Sequence, residues 1–166
     1  MGLPEELIQV EARRIGLISD THGLLRPDVF TAFRDVELIL HAGDVGPTEI
    51  LDELAAIAPV YAVRGNTDPV GVPGLPDAVE LRIGALRVHV SHGHEVGARP
   101  DRLLSAYEAD VIVYGHTHRE LITRAQERLV VNPGAAGARR FDLLPCVALM
   151  TINDGQAEVE LIRLAV

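Results

Sequence analysis

The sequence predicts an α/β domain in which a parallel sheet is laid down first and antiparallel strands are added after it. Three observations carry this. Between residues 14 and 64, short apolar runs alternate with amphipathic helical stretches, the pattern of right-handed βαβ units. Beyond residue 78 the apolar runs come in pairs joined by short turns, with Gly84-Ala85 and Asn153-Asp154-Gly155 as the hairpin signals. Five runs end on Asp, Asn or His, at the strand edge where open α/β sheets hold their ligands.

Taken in order, Met1–Ala12 is a mixed polar and apolar lead without catalytic residue types. Pro4 at a first helical position, followed by Glu5 and Glu6, allows a short helix there. The first strand begins at Arg14 and runs to Asp20-Thr21-His22. Pro27 then opens a helix whose Val29, Phe30 and Phe33 are expected on one face. A second strand from Val36 ends at Gly43-Asp44. Pro47 opens the next helix, with Ile50, Leu51, Leu54 and Ile57 inward and Glu49, Asp52 and Glu53 outward. Val60 starts a third strand that ends at Gly65-Asn66-Thr67-Asp68. The stretch Asp68–Pro76, with three prolines and two glycines, reads as a loop.

The second half is antiparallel-rich. Ala78–Ile83 and Leu86–Val90 form one hairpin, the latter strand continuing to His92-Gly93-His94. Pro100–Tyr107 reads as a helix with Asp101 in its first turn. Val111-Ile112-Val113 is a continuous apolar run of the kind buried on both faces, ending at Gly115-His116-Thr117-His118. Leu121–Arg124 with Leu129–Val131, and Cys146–Ile152 with Ala157–Leu164, complete two more hairpins, with an Asn132-Pro133-Gly134 turn between them. No internal repeat or interdomain linker is evident, and 166 residues suit one domain.

One Asp-Gly or His-x-His ending alone is an ordinary turn. Five at one sheet edge are a donor set. Carboxylate, amide oxygen and imidazole suit Zn, Mn, Fe or Ni, and the lack of thiolates argues against a structural zinc site.

The ordered set Asp-x-His, Gly-Asp, Gly-Asn, His-Gly-His and Gly-His-x-His, from Arg14 to about Arg140, resembles the calcineurin-like metallophosphoesterases. The closer resemblance is to their small single-domain phosphodiesterase branch, whose fold the retromer subunit shares. It implies a two-sheet sandwich flanked by helices, in four layers with mixed sheets, over residues 1–166, residues 1–13 being an extension. It also implies a dinuclear metal centre, with Asp20, His22 and His118 on one ion, Asn66, His92 and His116 on the other, and Asp44 bridging. Asp44 suits that role because a carboxylate offers two oxygens. The implied cofactors are two divalent transition-metal ions, manganese first, with nickel, iron or zinc as alternatives.

The implied activity is hydrolysis of a small phosphodiester, nucleotide-derived diesters included. The wider superfamily often has histidine after the Gly-Asn pair, where it is thought to protonate the leaving oxygen; here Thr67 stands there, and the small branch also tends to lack that histidine. His94 is a candidate for that acid or for a phosphate contact. Asp68 or a strand-end carbonyl is expected to orient a ligand imidazole, and His41 and His89 to be structural. Ala135 occupies a position where the family often has a hydroxyl, and Arg139 and Arg140 are read first as a solvated pair.

Composition sets outer bounds. A formal charge of −9 argues against nonspecific duplex nucleic-acid binding. No apolar segment approaches the ~20 residues of a membrane span, and the first residues lack a signal-peptide pattern. The single cysteine, Cys146, suits a reducing compartment, so a cytoplasmic protein is expected, with homo-oligomerisation left open. The rival readings are a metal-poor scaffold like the retromer subunit and a phosphomonoesterase.

Overall fold

The computed structural model describes residues 7–140 and 142–165. Its elements in chain order are β1 (Ile8–Val10), β2 (Arg14–Ile18), α1 (Asp28–Ala32), β3 (Leu38–His41), α2 (Glu49–Ala55), β4 (Val60–Ala62), β5 (Ala78–Ile83) and β6 (Leu86–Ser91). A 3₁₀ turn (His94–Val96) and α3 (Pro100–Ala106) follow, then β7 (Val111–Val113), β8 (Leu121–Ala125), β9 (Arg128–Asn132), β10 (Cys146–Asn153) and β11 (Gln156–Arg163). The helix allowed at Pro4 lies outside the described residues. Residues 8–10, read as part of an extension, pair parallel with β5 and form an edge strand.

Two mixed sheets stack. One has the order β1-β5-β6-β7-β9-β8, the other β11-β10-β2-β3-β4. The period-2 alternation of each strand explains the layers. Ile15, Leu17, Leu38 and Leu40 from one sheet meet Val88, Val90, Val111 and Val113 from the other in the central core. The intervening residues face outward. Ile18 and Ile39 pack on Val29 and Phe33 of the α1 region and on Ile50 and Leu54 of α2. Ile112 packs on Leu103 of α3. Strands with apolar residues on both faces are therefore continuous apolar runs, and helices cover both outer faces. The result is the expected four-layer α/β/β/α sandwich.

Gly16 of β2 has a packing reason. A Cβ there would stand 2.9 Å from the Phe33 ring, so the missing side chain lets α1 approach the sheet. Phe30 departs from expectation: it is 41% exposed, whereas Val29 and Phe33 are fully buried. One residue is about 100° around a helix, and α1 is too short to curve a third apolar position inward.

The Asp154-Gly155 turn joins Asn153 to its partner Gln156 with both central residues at positive φ, 50° and 74°. This is the hairpin the sequence announced. Gln126 and Glu127 adopt the same conformation, at 55° and 62°, without a glycine to signal it.

Candidate metal centre

The carboxyl ends of β2, β3, β4, β6 and β7 point the same way, because these strands are parallel to their neighbours where they meet in each sheet. Their C-terminal loops converge across the sandwich. Ala42 O, just beyond β3, accepts from Nδ1 of His92, just beyond β6, at 2.8 Å. His116 N, beyond β7, donates to Oδ2 of Asp20, beyond β2, at 3.1 Å. The two sheets are thus joined at this end by the candidate ligands themselves.

Asp20, Asp44 and His92 are buried, His22 and His118 are half-buried, and Asn66 and His116 are exposed at the rim. Oδ2 of Asp20 is held by the Ser19 hydroxyl at 2.7 Å and by His116 N. Its Oδ1 has no hydrogen-bond partner, and lies 3.3 Å from His118 Nε2, 3.7 Å from His22 Nε2 and 3.9 Å from His92 Nε2. Asp44 is arranged the same way. Its Oδ1 accepts Thr67 N at 2.9 Å, while Oδ2 faces His92 Nε2 at 3.2 Å and His22 Nε2 at 3.5 Å. Oδ1 of Asn66 accepts from His116 Nδ1 at 3.0 Å, and the His116 ring lies 5.1 Å from that of His92.

Two groups have ligand atoms close enough to share a cation, Asp20–His22–His118 and Asp20–Asp44–His92. Asp20 belongs to both. The buried atoms Asp20 Oδ1, His22 Nε2 and His92 Nε2 have no hydrogen-bond partner. Buried polar groups are normally satisfied, and an unsatisfied one costs about 1–3 kcal/mol. Lone pairs converging from two carboxylates and three imidazoles are what divalent cations satisfy, so the donor set fits them.

The backbone is shaped for this convergence. Asp20, His22, Asp44, His116 and His118 have φ of 55°, 46°, 54°, 73° and 63°, in the left-handed region that side chains rarely adopt. Such residues persist only where surrounding contacts over-determine them. Two glycines supply the space. A Cβ on Gly65 would collide with Asp44 Oδ1 and its backbone nitrogen, and one on Gly115 with Ser19 Oγ and Asp20 Oδ2.

Electrostatics follow the geometry. Burial raises Asp20, but the His118 and His22 imidazoles, the His92 charge and the Ser19 hydroxyl outweigh it and hold its pKa well below the usual range. Burial likewise opposes ionisation of Asp44, yet His92 and Thr67 N–H bring it down to about 2. Burial lowers His92, but the two aspartates prevail and its pKa is raised. His94 and His116 are both lowered, by burial first and by the neighbouring His92 second.

Several neighbours differ from expectation. Asp68 orients no imidazole: its carboxylate accepts Val45 N, Gly46 N and Gly65 N at 3.1, 3.1 and 2.9 Å, tying the Asp44 loop to the Asn66 loop. The orienting group is the strand-end carbonyl of Ala42. His41 is buried beneath the site, accepting Gly43 N at Nδ1 and donating from Nε2 to Thr21 Oγ1 at 3.0 Å; Thr21 donates on to Val45 O. His89 bonds Glu80 and Ser91 and stacks on Tyr107. His94 stands 5.4 Å from His92 and 6.1 Å from His116, ring to ring, with Nδ1 buried and unpartnered. Arg139 and Arg140 are exposed. The roles of Ser19 and Thr21 were not anticipated, since a hydroxyl beside a ligand carries no motif of its own.

Fold and donor set together define a metallophosphoesterase. The chain belongs to the calcineurin-like phosphoesterase superfamily, whose domain matches residues 14–155. It is 39% identical over 159 residues to a probable metallophosphoesterase of Methanothermobacter thermautotrophicus, covering 90% of this chain and 91% of that one. It is 30% identical over 139 residues to a phosphodiesterase of Methanocaldococcus jannaschii, covering 73% and 82%. Vacuolar protein sorting 29 from Cryptosporidium parvum shares the fold, with a TM-score of 0.76 over 93% of this chain and 98% of that one at 23% identity. No helix among the described residues is long and apolar enough to cross a membrane.

Proposed function

We propose that the protein is a phosphodiesterase dependent on two divalent transition-metal ions, manganese first, acting on a small diester. The observation that carries this reading is the convergence of Asp20 Oδ1, Asp44 Oδ2, His22 Nε2 and His92 Nε2, of which Asp20 Oδ1 and the two imidazole nitrogens are buried without a partner. Asp20, His22 and His118 would hold one ion, Asn66, His92 and His116 the other, with Asp44 between them. When bound, such a pair activates water and neutralises the charge of the phosphate oxygens.

The chain's own residues then have defined tasks. Ala42 O accepts the Nδ1 proton of His92, which leaves Nε2 as the free donor. Ser19 and His116 N tie one oxygen of Asp20, so that only Oδ1 is offered to the site. Thr67 N does the same for Asp44, so the bridging role would fall to Oδ2 alone, which faces both His92 Nε2 and His22 Nε2, rather than to both carboxylate oxygens. His94, at the edge of this cluster, is placed to bond a phosphate oxygen or to hand a proton to a leaving group.

Diesters are favoured over monoesters by Thr67. It stands at the exposed rim beside Asn66, and its hydroxyl is too weak an acid to protonate a poor leaving group. The similarity to an archaeal phosphodiesterase supports the same choice. The scaffold reading has the shared fold in its favour, but a scaffold has no need of five candidate ligands held at positive φ. The test is a panel of aryl and alkyl diesters and monoesters, run on metal-free, manganese-loaded and magnesium-loaded protein. Diester hydrolysis that appears with manganese and disappears with chelation is expected. Absence of turnover on every ester by fully loaded protein would leave the scaffold reading in its place.

A further inference from the structure

A buried carboxamide one strand away from the candidate ligands is aimed at the turn that carries two of them. Asn132 ends β9, which runs parallel to β7, so its side chain reaches the loop leaving β7. It is fully buried and both of its carboxamide hydrogens are used. Nδ2 donates to Gly115 O at 3.1 Å and to Thr117 Oγ1 at 3.0 Å, while Oδ1 accepts Gly134 N at 2.9 Å.

The turn it grips is unusual. Thr117 N also donates to Gly115 O, at 2.9 Å, closing a three-residue loop over His116. His116 has φ 73°, the strained form of such a turn, and His118 follows at 63°. Thr117 Oγ1 in turn receives Arg119 N at 3.1 Å and donates to Arg119 O at 3.4 Å. The hydroxyl thus sits between two residues forced into left-handed backbone, and Asn132 fixes it to the sheet. Left alone, a turn with two such strained residues would relax. His116 is exposed and Thr117 is exposed, so the hydrophobic core does not hold them.

We infer that Asn132, acting through Thr117, is a positioning residue for the metal centre: its two N–H groups hold His116 and His118 in the backbone geometry that offers their rings to the ions. This rests on the two-metal reading above. It makes a distinction that core packing does not. Removing the Thr117 hydroxyl leaves the core untouched, yet unlocks the turn.

The experiment compares wild type with Thr117→Val, Thr117→Ser, Asn132→Ala and Asn132→Asp by titrating metal-free full-length protein with manganese and, separately, with cobalt. Thr117→Val should weaken binding by about 10–100-fold and alter the cobalt absorption spectrum, with the thermal midpoint of the metal-free protein essentially unchanged. Thr117→Ser, which keeps the hydroxyl, should restore both affinity and spectrum. Asn132→Asp keeps the acceptor for Gly134 N but loses both donors and buries a carboxylate against Gly115 O, so it should lose metal affinity at least as far as Thr117→Val and melt lower as well. If either asparagine variant fails to fold, the threonine pair alone decides. Wild-type affinity and an unaltered spectrum in Thr117→Val would overturn the inference. Wild-type protein that binds no metal would instead overturn the two-metal reading beneath it.

Discussion

Nε2 of His92 stands 3.2 Å from Oδ2 of Asp44 and makes no hydrogen bond there. Nδ1 is already committed to Ala42 O, so in the neutral ring Nε2 carries a lone pair facing an anionic oxygen. Two electron-rich atoms at this distance repel unless a proton or a cation lies between them. In the metal-free protein a proton is the available remedy, which is why the two aspartates raise the His92 pKa against its burial. A metal ion must displace that proton.

Metal binding should therefore release protons and weaken as pH falls below the raised His92 pKa. Calorimetric titration in buffers of different ionisation enthalpy measures the release directly. Asp44→Ala should lose both ions, while His118→Ala and Asn66→Ala should each weaken mainly one. Manganese affinity that stays flat from pH 8 to pH 6 would exclude His92 as a ligand.

The glycine beside Asn66 gives a steric prediction. Gly65 has no room for a methyl group, because Asp44 Oδ1 and the Asp44 backbone lie where a Cβ would be. Gly65→Ala should push the Asp44 loop away, costing about 1–3 kcal/mol of stability as overpacked sites do. Metal affinity should fall as well, since the displaced residue is the proposed bridge. Thermal melts of the metal-free protein and manganese titration read the two effects separately.

His41 predicts how metal-free protein responds to acid. Burial drives its pKa from 6.5 down to about 4, despite the nearby Asp20, Asp68 and Asp44. Between these values the unfolded chain binds a proton that the folded chain refuses. Stability is therefore lost as pH falls from about 6.5 to about 4, by at most about 3 kcal/mol from this residue. His94 and His116, also lowered, act in the same sense. The raised pKa of His92 acts oppositely and above pH 6.5, and the lowered Asp20 and Asp44 act only under more acidic conditions. Denaturant melts across pH 4–7 should show a shallower slope for His41→Asn than for wild type. Equal slopes would mean that His41 is protonated in the fold.

The strand ends were legible because metal binding would restrict residue type: the candidate ligands Asp20, His22, Asp44, Asn66, His92, His116 and His118 stand where turns need none of them, and the structure gathers all seven at one end. The alternation of Ile15, Gly16, Leu17 and Ile18 likewise reveals two buried faces. What holds these candidate ligands was not legible. Asp68 looks like any loop aspartate until the loop after β3 brings Val45 N and Gly46 N to it, beside Gly65 N of its own turn. Asn132 reads as a turn residue before proline, and its grip on Thr117 depends on β9 lying beside β7, a pairing that skips β8 in chain order. Periodicity also overreached at Phe30, where a five-residue helix has only one inward side.

Thr67 carries the sharpest functional prediction, because its side chain and its backbone do different things. Its N–H donates to Asp44 Oδ1 and is kept in any substitution but proline. Its side chain is exposed at the rim beside Asn66, the position where the family resemblance expects a proton donor. With threonine there, aryl diesters, whose leaving group departs unprotonated, should be cleaved much faster than alkyl diesters. Thr67→His places an imidazole of ordinary pKa near 6.5 at that rim. General acid catalysis contributes roughly 10²–10⁴-fold, which is the ceiling for the gain. The gain achieved should be smaller, because no neighbouring group is arranged to orient the new ring. It should fall on alkyl diesters and monoesters and leave aryl diesters nearly unchanged. The measurement is the alkyl-to-aryl ratio of kcat/KM in wild type and variant, with metal content verified in both. An unchanged ratio at equal metal content would move the proton donor's role to His94, whose ring stands 5.4 Å from that of His92.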